Sequence, residues 1–136
     1  MRILVDTCVW SIALRRPEQN SFSTAVELRN LVADNRVEII GSIRQELLSG
    51  IRENSRFTKV RNRLAAFPDV PVVTEDYVTA AIFCNLCTAN GIQGANADFL
   101  ICAVSIRNQF AIYTKDKDFL YFAKHIPITL HKEESP

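Results

Sequence analysis

Short, solid apolar runs alternate with helix-patterned segments along this chain. Ile3-Leu4-Val5, Val37-Glu38-Ile39-Ile40 and Phe110-Ala111-Ile112-Tyr113 are the clearest of them. Runs that do not alternate polar with apolar read as strands covered on both faces. A helix between consecutive strands makes each connection a crossover, so neighbouring strands run parallel. The pattern predicts an α/β fold of three layers, with a central, mostly parallel sheet of four to five strands and helices on both faces. Strands are expected at 2–5, 37–40, 70–73 and 110–113, with an edge strand within 126–130. Helices are expected over 22–33 with Ser21 as N-cap, and from a Ser42/Gln45 capping box to Gly50. Three more are expected over 54–66, from a Thr74 cap to Asn90-Gly91, and from an Asn96 cap to Arg107.

With 136 residues, the chain has the length of a single domain, 1–136. Its 16 basic and 15 acidic side chains leave a net charge of +1, which excludes a simple polycationic nucleic-acid binder but not a local basic face. No apolar run is long enough to span a membrane, and no leader pattern opens the sequence, so a cytoplasmic protein with no membrane partner is expected. Cys8, Cys84, Cys87 and Cys102 then read as reduced, structural thiols. Cys84 and Cys87 form a CxxC, but it lies mid-helix and has no second ligand pair.

In parallel sheets ligands bind beyond the carboxyl ends of the strands. Asp6 directly follows the first strand, Glu46 lies in the helix after the second, and Asp116 and Asp118 follow the 110–113 strand. Asp98 opens a helix that is otherwise apolar from Phe99 to Val104. Glu75 and Asp76 also open a helix, and there compensation of the helix dipole explains them. Carboxylates gathered at one edge repel, and a divalent cation relieves the repulsion. Oxygen-only ligands select a hard ion, Mg²⁺ or Mn²⁺, which can activate a water for attack at phosphorus.

The motifs that carry these acids resemble a known family. Ile3-Leu4-Val5-Asp6-Thr7 resembles the opening of PIN domains, and Ser42-Ile43-Arg44-Gln45-Glu46-Leu47-Leu48-Ser49-Gly50 resembles their second acidic motif. Asn96-Ala97-Asp98-Phe99-Leu100-Ile101-Cys102-Ala103 and Thr114-Lys115-Asp116-Lys117-Asp118-Phe119 resemble the third and fourth. In order, spacing and length the chain is similar to the VapC-type toxins of toxin–antitoxin pairs. The resemblance implies a PIN-like fold and a Mg²⁺- or Mn²⁺-dependent endoribonuclease. It makes Asp6, Glu46, Asp98 and Asp116 the catalytic, metal-binding carboxylates, lets Asp118 share the fourth position, and places Thr7 and Thr114 as hydroxyl neighbours. Cys8 departs from the Asn or Ser common in the family, and a thiol is the poorer hydrogen-bonding group. A VapB-type antitoxin is implied as partner, its segment covering the acidic groove.

Between Arg44 and Arg63 stand Arg44, Arg52, Arg56, Lys59, Arg61 and Arg63 against only Glu46 and Glu53. Such a run can neutralise RNA phosphates or simply solvate a helix. Arg44, Arg52, Arg56, Lys115 and Lys117 are the RNA-binding candidates, with Arg15 and Arg16 as further ones. RNA rather than DNA follows from the resemblance alone. Trp10, Phe22, Phe57 and Phe67 are expected to pack rather than stack on bases. His125 and His131 are assigned no catalytic part. The 74–90 helix carries two apolar faces: Val78, Ala81, Ile82 and Ala89 on one, and Ala80, Phe83, Cys84 and Cys87 on the other. A helix apolar on two sides is buried on two sides, so a homodimer through it is expected. The competing readings are a catalytically inactive PIN fold and a receiver-like signalling domain.

Overall fold

The computed structural model describes residues 1–14 and 22–133 of the chain. Arg15, Arg16, the expected cap Ser21 and the side chain of Phe22 lie outside the described residues.

The first strand, β1 (Ile3–Val5), is wholly buried. It pairs in parallel with β2 (Val37–Glu38) and β3 (Ala111–Tyr113), Ile3 standing opposite Val37 on one side and Ala111 on the other. The edge strand β4 (Thr129–Leu130) joins β3, also in parallel. Among the described residues the sheet has four strands in the order β2-β1-β3-β4. All the carboxyl ends therefore lie on one edge, where Asp6 leaves β1 and Thr114 leaves β3.

Among the described residues seven helices surround the sheet: α1 (Thr7–Leu14), α2 (Phe22–Ala33), α3 (Gly41–Leu48), α4 (Asn54–Leu64), α5 (Thr74–Ala89), α6 (Asn96–Asn108) and α7 (Asp118–Phe122). Neither α1 nor α7 was expected from the sequence. The α1 segment, Thr-Cys-Val-Trp-Ser-Ile-Ala-Leu, is rich in β-branched and aromatic residues that favour strands. It is helical because the Asp6 carboxylate accepts the Thr7 N–H at 2.8 Å and the Asp6 carbonyl accepts that of Val9 at 3.1 Å, which caps the first turn. At five residues, α7 is too short to show a helical period.

Two expectations are corrected. Residues 70–73 form no strand: only Asp69 bridges to Ile39, and Val70 N–H donates to the Ile39 carbonyl at 2.8 Å. Pro71 has no N–H with which to continue the ladder. The expected caps Ser42, Thr74 and Asn96 lie inside the first turns, and the N-cap positions are Ile40, Val73 and Ala95. At α5 and α6 the N-cap N–H is taken by the acid three residues on, Asp76 at 2.9 Å and Asp98 at 3.3 Å. At α3 no side chain caps the helix.

Asp76 is buried, and Arg107 at the end of α6 forks onto it at 2.7 and 2.9 Å. The Arg107 guanidinium holds the Asp76 carboxyl below its ordinary pKa. The fork ties the start of α5 to the end of α6. Ala80 and Cys87 of α5 are buried, and Phe83 and Cys84 pack against the core. The opposite face leaves Tyr77, Val78, Ile82 and Leu86 exposed, Ile82 by 57%. All four cysteines are free thiols. Among the described residues no helix is long and apolar enough to cross a membrane.

Gly94 sits where α6 is fed toward the sheet edge. A Cβ there would meet the Phe122 ring at 2.5 Å and the Phe99 ring at 2.9 Å. Both rings are buried and lie 4.8 Å apart, so neither has room to yield. Trp10 is likewise buried, edge-on to Phe67 at 5.2 Å.

Candidate functional site

Asp6 is the centre of a chain of hydrogen bonds at the carboxyl edge. Its Oδ2 accepts the Thr114 hydroxyl at 2.8 Å and the Cys8 thiol at 3.6 Å. The Thr114 Oγ1 in turn accepts the Asp116 N–H at 3.0 Å, and the Asp116 Oδ1 accepts the Asp118 N–H at 2.9 Å. One threonine thus couples the acid of β1 to the acids that follow β3. Thr7, the next residue after Asp6, donates its hydroxyl to Glu46 Oε2 at 3.1 Å and brings α3 to the same edge.

Asp98 faces this group from the first turn of α6. Its carboxyl is pushed up to about 6. Burial is the largest cause, and the negative charges of Asp6, Asp116 and Asp118 add to it against the Ala95 N–H. The charges of Asp98 and Asp6 reach one turn further along α6. There the buried Cys102 thiol is pushed well up, by burial first and then by Asp98. Asp6, Asp98, Asp116 and Asp118 therefore repel across a shared space, with Glu46 joined to it through Thr7. Among the described residues none of the five forms an ion pair with a Lys, Arg or His.

Among the described residues, no three acid, His or Cys side chains stand close enough together to enclose an ion unaided. Mg²⁺ does not require that: it takes one or two carboxylates directly and keeps its remaining waters. The donor set, made of carboxylate and hydroxyl oxygens without a counter-cation, fits such a hydrated hard ion. Cys8 belongs to this network. Its Sγ is used internally, accepting the Lys115 N–H at 3.2 Å and lying 3.5 Å from the Thr114 hydroxyl.

The basic candidates divide. Arg52, Arg56 and Lys117 are exposed, with Arg56 leaning on the Leu14 carbonyl at 3.3 Å. Arg44 is turned inward: it donates to Asp69 at 3.0 Å, to the Leu64 carbonyl at 2.9 Å and to the Phe67 carbonyl, so its guanidinium closes the end of α4. Lys115 is held by Glu133 at 3.0 Å. His131 pairs with Glu27 at 2.7 Å and lies edge-on to Tyr113, while His125 is exposed on the loop after α7.

A cavity of about 370 Å³ borders Glu46, with Ser11, Ser49 and Arg56 also on its walls. A larger one of about 790 Å³ lies elsewhere, between α1, α2 and α4. It is lined by Trp10, Leu14, Leu28, Val32, Leu64 and Phe67 among others, and none of the five acids reaches it. Size alone points to that apolar cavity, but chemistry points to the acidic edge, where charge is concentrated and unpaired.

Comparison with known proteins bears on the family and the fold. The PIN domain family model matches residues 3–125. No curated protein matches the sequence. FitAcB from Neisseria gonorrhoeae is similar in structure, with a TM-score of 0.77, 20% identity, and 96% of each chain covered. VapBC2 from Rickettsia felis, bound to a DNA fragment from their promoter, has a TM-score of 0.76 and 18% identity, covering 96% of this chain and 98% of that one. FitAB bound to an IR36 DNA fragment has a TM-score of 0.76 and 19% identity, over 98% and 99%. At these identities the likeness is one of fold.

Proposed function

The chain belongs to the PIN domain family, and on that premise we propose that it is a Mg²⁺- or Mn²⁺-dependent endoribonuclease, the toxin of a toxin–antitoxin pair. The observation that carries the reading is the uncompensated set of acids at the carboxyl edge, with the Asp98 carboxyl raised to about 6 by burial and its acidic neighbours. Asp6, Glu46, Asp98, Asp116 and Asp118 would hold the ion. When bound, such an ion lowers the pKa of a water and stabilises charge developing on the phosphate.

The protein's own part is to position. Thr114 fixes the Asp6 carboxylate through its hydroxyl and holds the Asp116 N–H at the same time. Thr7 orients Glu46. The Asp98 carboxylate is anchored by one oxygen on the Ala95 N–H. Arg56 beside Glu46, Lys117 beside Asp116 and the exposed Arg52 would take backbone phosphates of the RNA.

Two partners belong to this reading. The structural neighbours include VapBC2 and FitAB, both bound to DNA, and by that likeness the partner here is a VapB-type antitoxin that covers the acidic groove. The exposed apolar face of α5 supports a homodimer, since Tyr77, Val78, Ile82 and Leu86 otherwise stand in water. No observation favours a receiver-like domain, which needs an acidic pair at the first strand, where Asp6 is followed by Thr7. The intact acid set speaks against an inactive fold.

The test is cleavage of a defined RNA by the purified protein with Mg²⁺, compared with Asp98→Asn. The wild type is expected to cut and the variant, with an unchanged circular dichroism spectrum, to lose cutting. Equal rates for the two proteins would remove the mechanism.

A further inference from the structure

One carboxylate outside the acidic site touches the same loop from behind. Glu133 lies beyond β4. Its Oε1 accepts the Tyr113 hydroxyl at 2.6 Å, the Thr24 hydroxyl at 2.7 Å and the Lys115 ammonium at 3.0 Å. Its Oε2 accepts the Ser23 hydroxyl at 3.3 Å. Four donors on one carboxylate, from two distant segments, make a built contact rather than a surface ion pair.

The two residues of the 113–116 stretch that Glu133 grips are Tyr113 and Lys115. The residues that serve the acidic site are the alternate ones: Thr114 bonds to Asp6 and Asp116 bonds to Thr114. Glu133 thus holds the side chains of the two residues that flank Thr114, whose hydroxyl binds Asp6 and receives the Asp116 N–H. The clamp also joins this stretch to the start of α2 through Ser23 and Thr24.

We propose that Glu133 is a positioning residue for the acidic site, a latch that fixes the 113–116 stretch so that Thr114 and Asp116 keep their places beside Asp6. The latch rests on the nuclease reading for its effect on catalysis, but not for its structural effect. The ionisation states suit it. Burial alone would raise the Glu133 carboxyl, yet the hydrogen bonds from Tyr113, Thr24 and Lys115 hold it at about 2. The Tyr113 phenol is pushed up by burial and then by Glu133, so it remains a donor. The latch also takes the Lys115 charge, which leaves Lys117 as the free cation flanking Asp116 among the described residues of that loop.

The experiment compares wild type, Glu133→Ala, Glu133→Gln and Tyr113→Phe as full chains, by amide hydrogen exchange and by RNA cleavage with Mg²⁺. In Glu133→Ala, exchange at 114–118 is expected to accelerate while that of α5 and α6 stays as in wild type. Its kcat is expected to fall about 10-fold with KM for RNA unchanged, as for outer partners of metal ligands. Glu133→Gln, which still accepts from Tyr113 and Thr24, is expected to recover part of both, and Tyr113→Phe to show a smaller loss in the same direction. If Glu133→Ala fails to fold, the Gln and Phe variants decide by the same readings. Unchanged exchange at 114–118, or a loss seen only in KM, overturns the latch. If the wild type cuts no RNA, the nuclease reading falls and the exchange measurement alone decides the latch.

Discussion

The Thr114 hydroxyl donates to the Asp6 carboxylate across 2.8 Å and joins residues that are more than a hundred positions apart in the sequence. This bond sets the acid of β1 against the acids of the following loop. Thr114→Val keeps the shape and removes the donor. A loss of cleavage of about 10–100-fold is expected, the usual scale for an outer partner of a metal ligand, with the far-ultraviolet circular dichroism unchanged. Wild-type turnover would separate the bond from catalysis.

Asp98 makes the metal-free protein sensitive to pH in a definite sense. Its carboxyl holds a proton up to about 6 when folded, against an ordinary value of 3.8. The folded state thus binds that proton more tightly than the unfolded one. This contribution to stability is full below pH about 4 and is lost as pH rises through about 6. In chelator, Asp98→Asn should melt above wild type at pH 7.5, and the gap should close near pH 4. Adding Mg²⁺ at pH 7.5 should raise the wild-type Tm, by about 2.7 kcal/mol of stability at a hundredfold excess over Kd, and leave the variant unmoved. A wild-type Tm indifferent to Mg²⁺ would count against the ion.

Gly94 has no space for a methyl group against Phe99 and Phe122. Gly94→Ala is expected to destabilise the fold by about 1–3 kcal/mol through overpacking. It should also reduce activity by shifting the first turn of α6. Denaturant unfolding measures the first effect, and a midpoint equal to wild type would show that the loop relaxes freely.

Asp76 carries the opposite pH sign to Asp98. Arg107 lowers its carboxyl, so its contribution is present above pH about 4 and is lost as pH falls below that. Asp76→Asn should lower Tm at pH 7, with the difference shrinking in acid. Melting curves at pH 3 and pH 7 check this.

If the exposed face of α5 joins two copies, Ile82→Glu should place charges in the joint and yield monomers. Sedimentation of both proteins at micromolar concentration decides it. A wild-type monomer would leave the face without that explanation.

The buried strands and the acids that follow them were legible because both are local signals. Val5 and Tyr113 end apolar runs, and Asp6 and Asp116 come at or just beyond those ends. The helix starts were misplaced by a residue or two, because Thr74 and Asn96 compete with acids further on that can also cap, and because α3 begins before Ser42 with no side-chain cap at all. At α5 and α6, Asp76 and Asp98 took that role. Residues 70–73 read as a strand by composition, yet Pro71 interrupts the ladder at the sheet's margin. The roles of Arg44 and Glu133 were not legible. Each depends on partners brought in by the tertiary fold, Leu64 and Phe67 for one and Tyr113 and Thr24 for the other. No periodicity encodes such pairings.

The position of β1 between β2 and β3 has a consequence for synthesis. Ile3 cannot complete its pairing until Ala111 has left the ribosome, and the acid at position 6 meets those at 116 and 118 only after that. Contacts so distant in sequence form late and slow folding. A nascent chain therefore holds Asp6, Glu46 and Asp98 unassembled until Asp116 and Asp118 have been made. On the proposed reading, activity can arise only after that late pairing, and a restraining partner has the whole interval of translation in which to be ready.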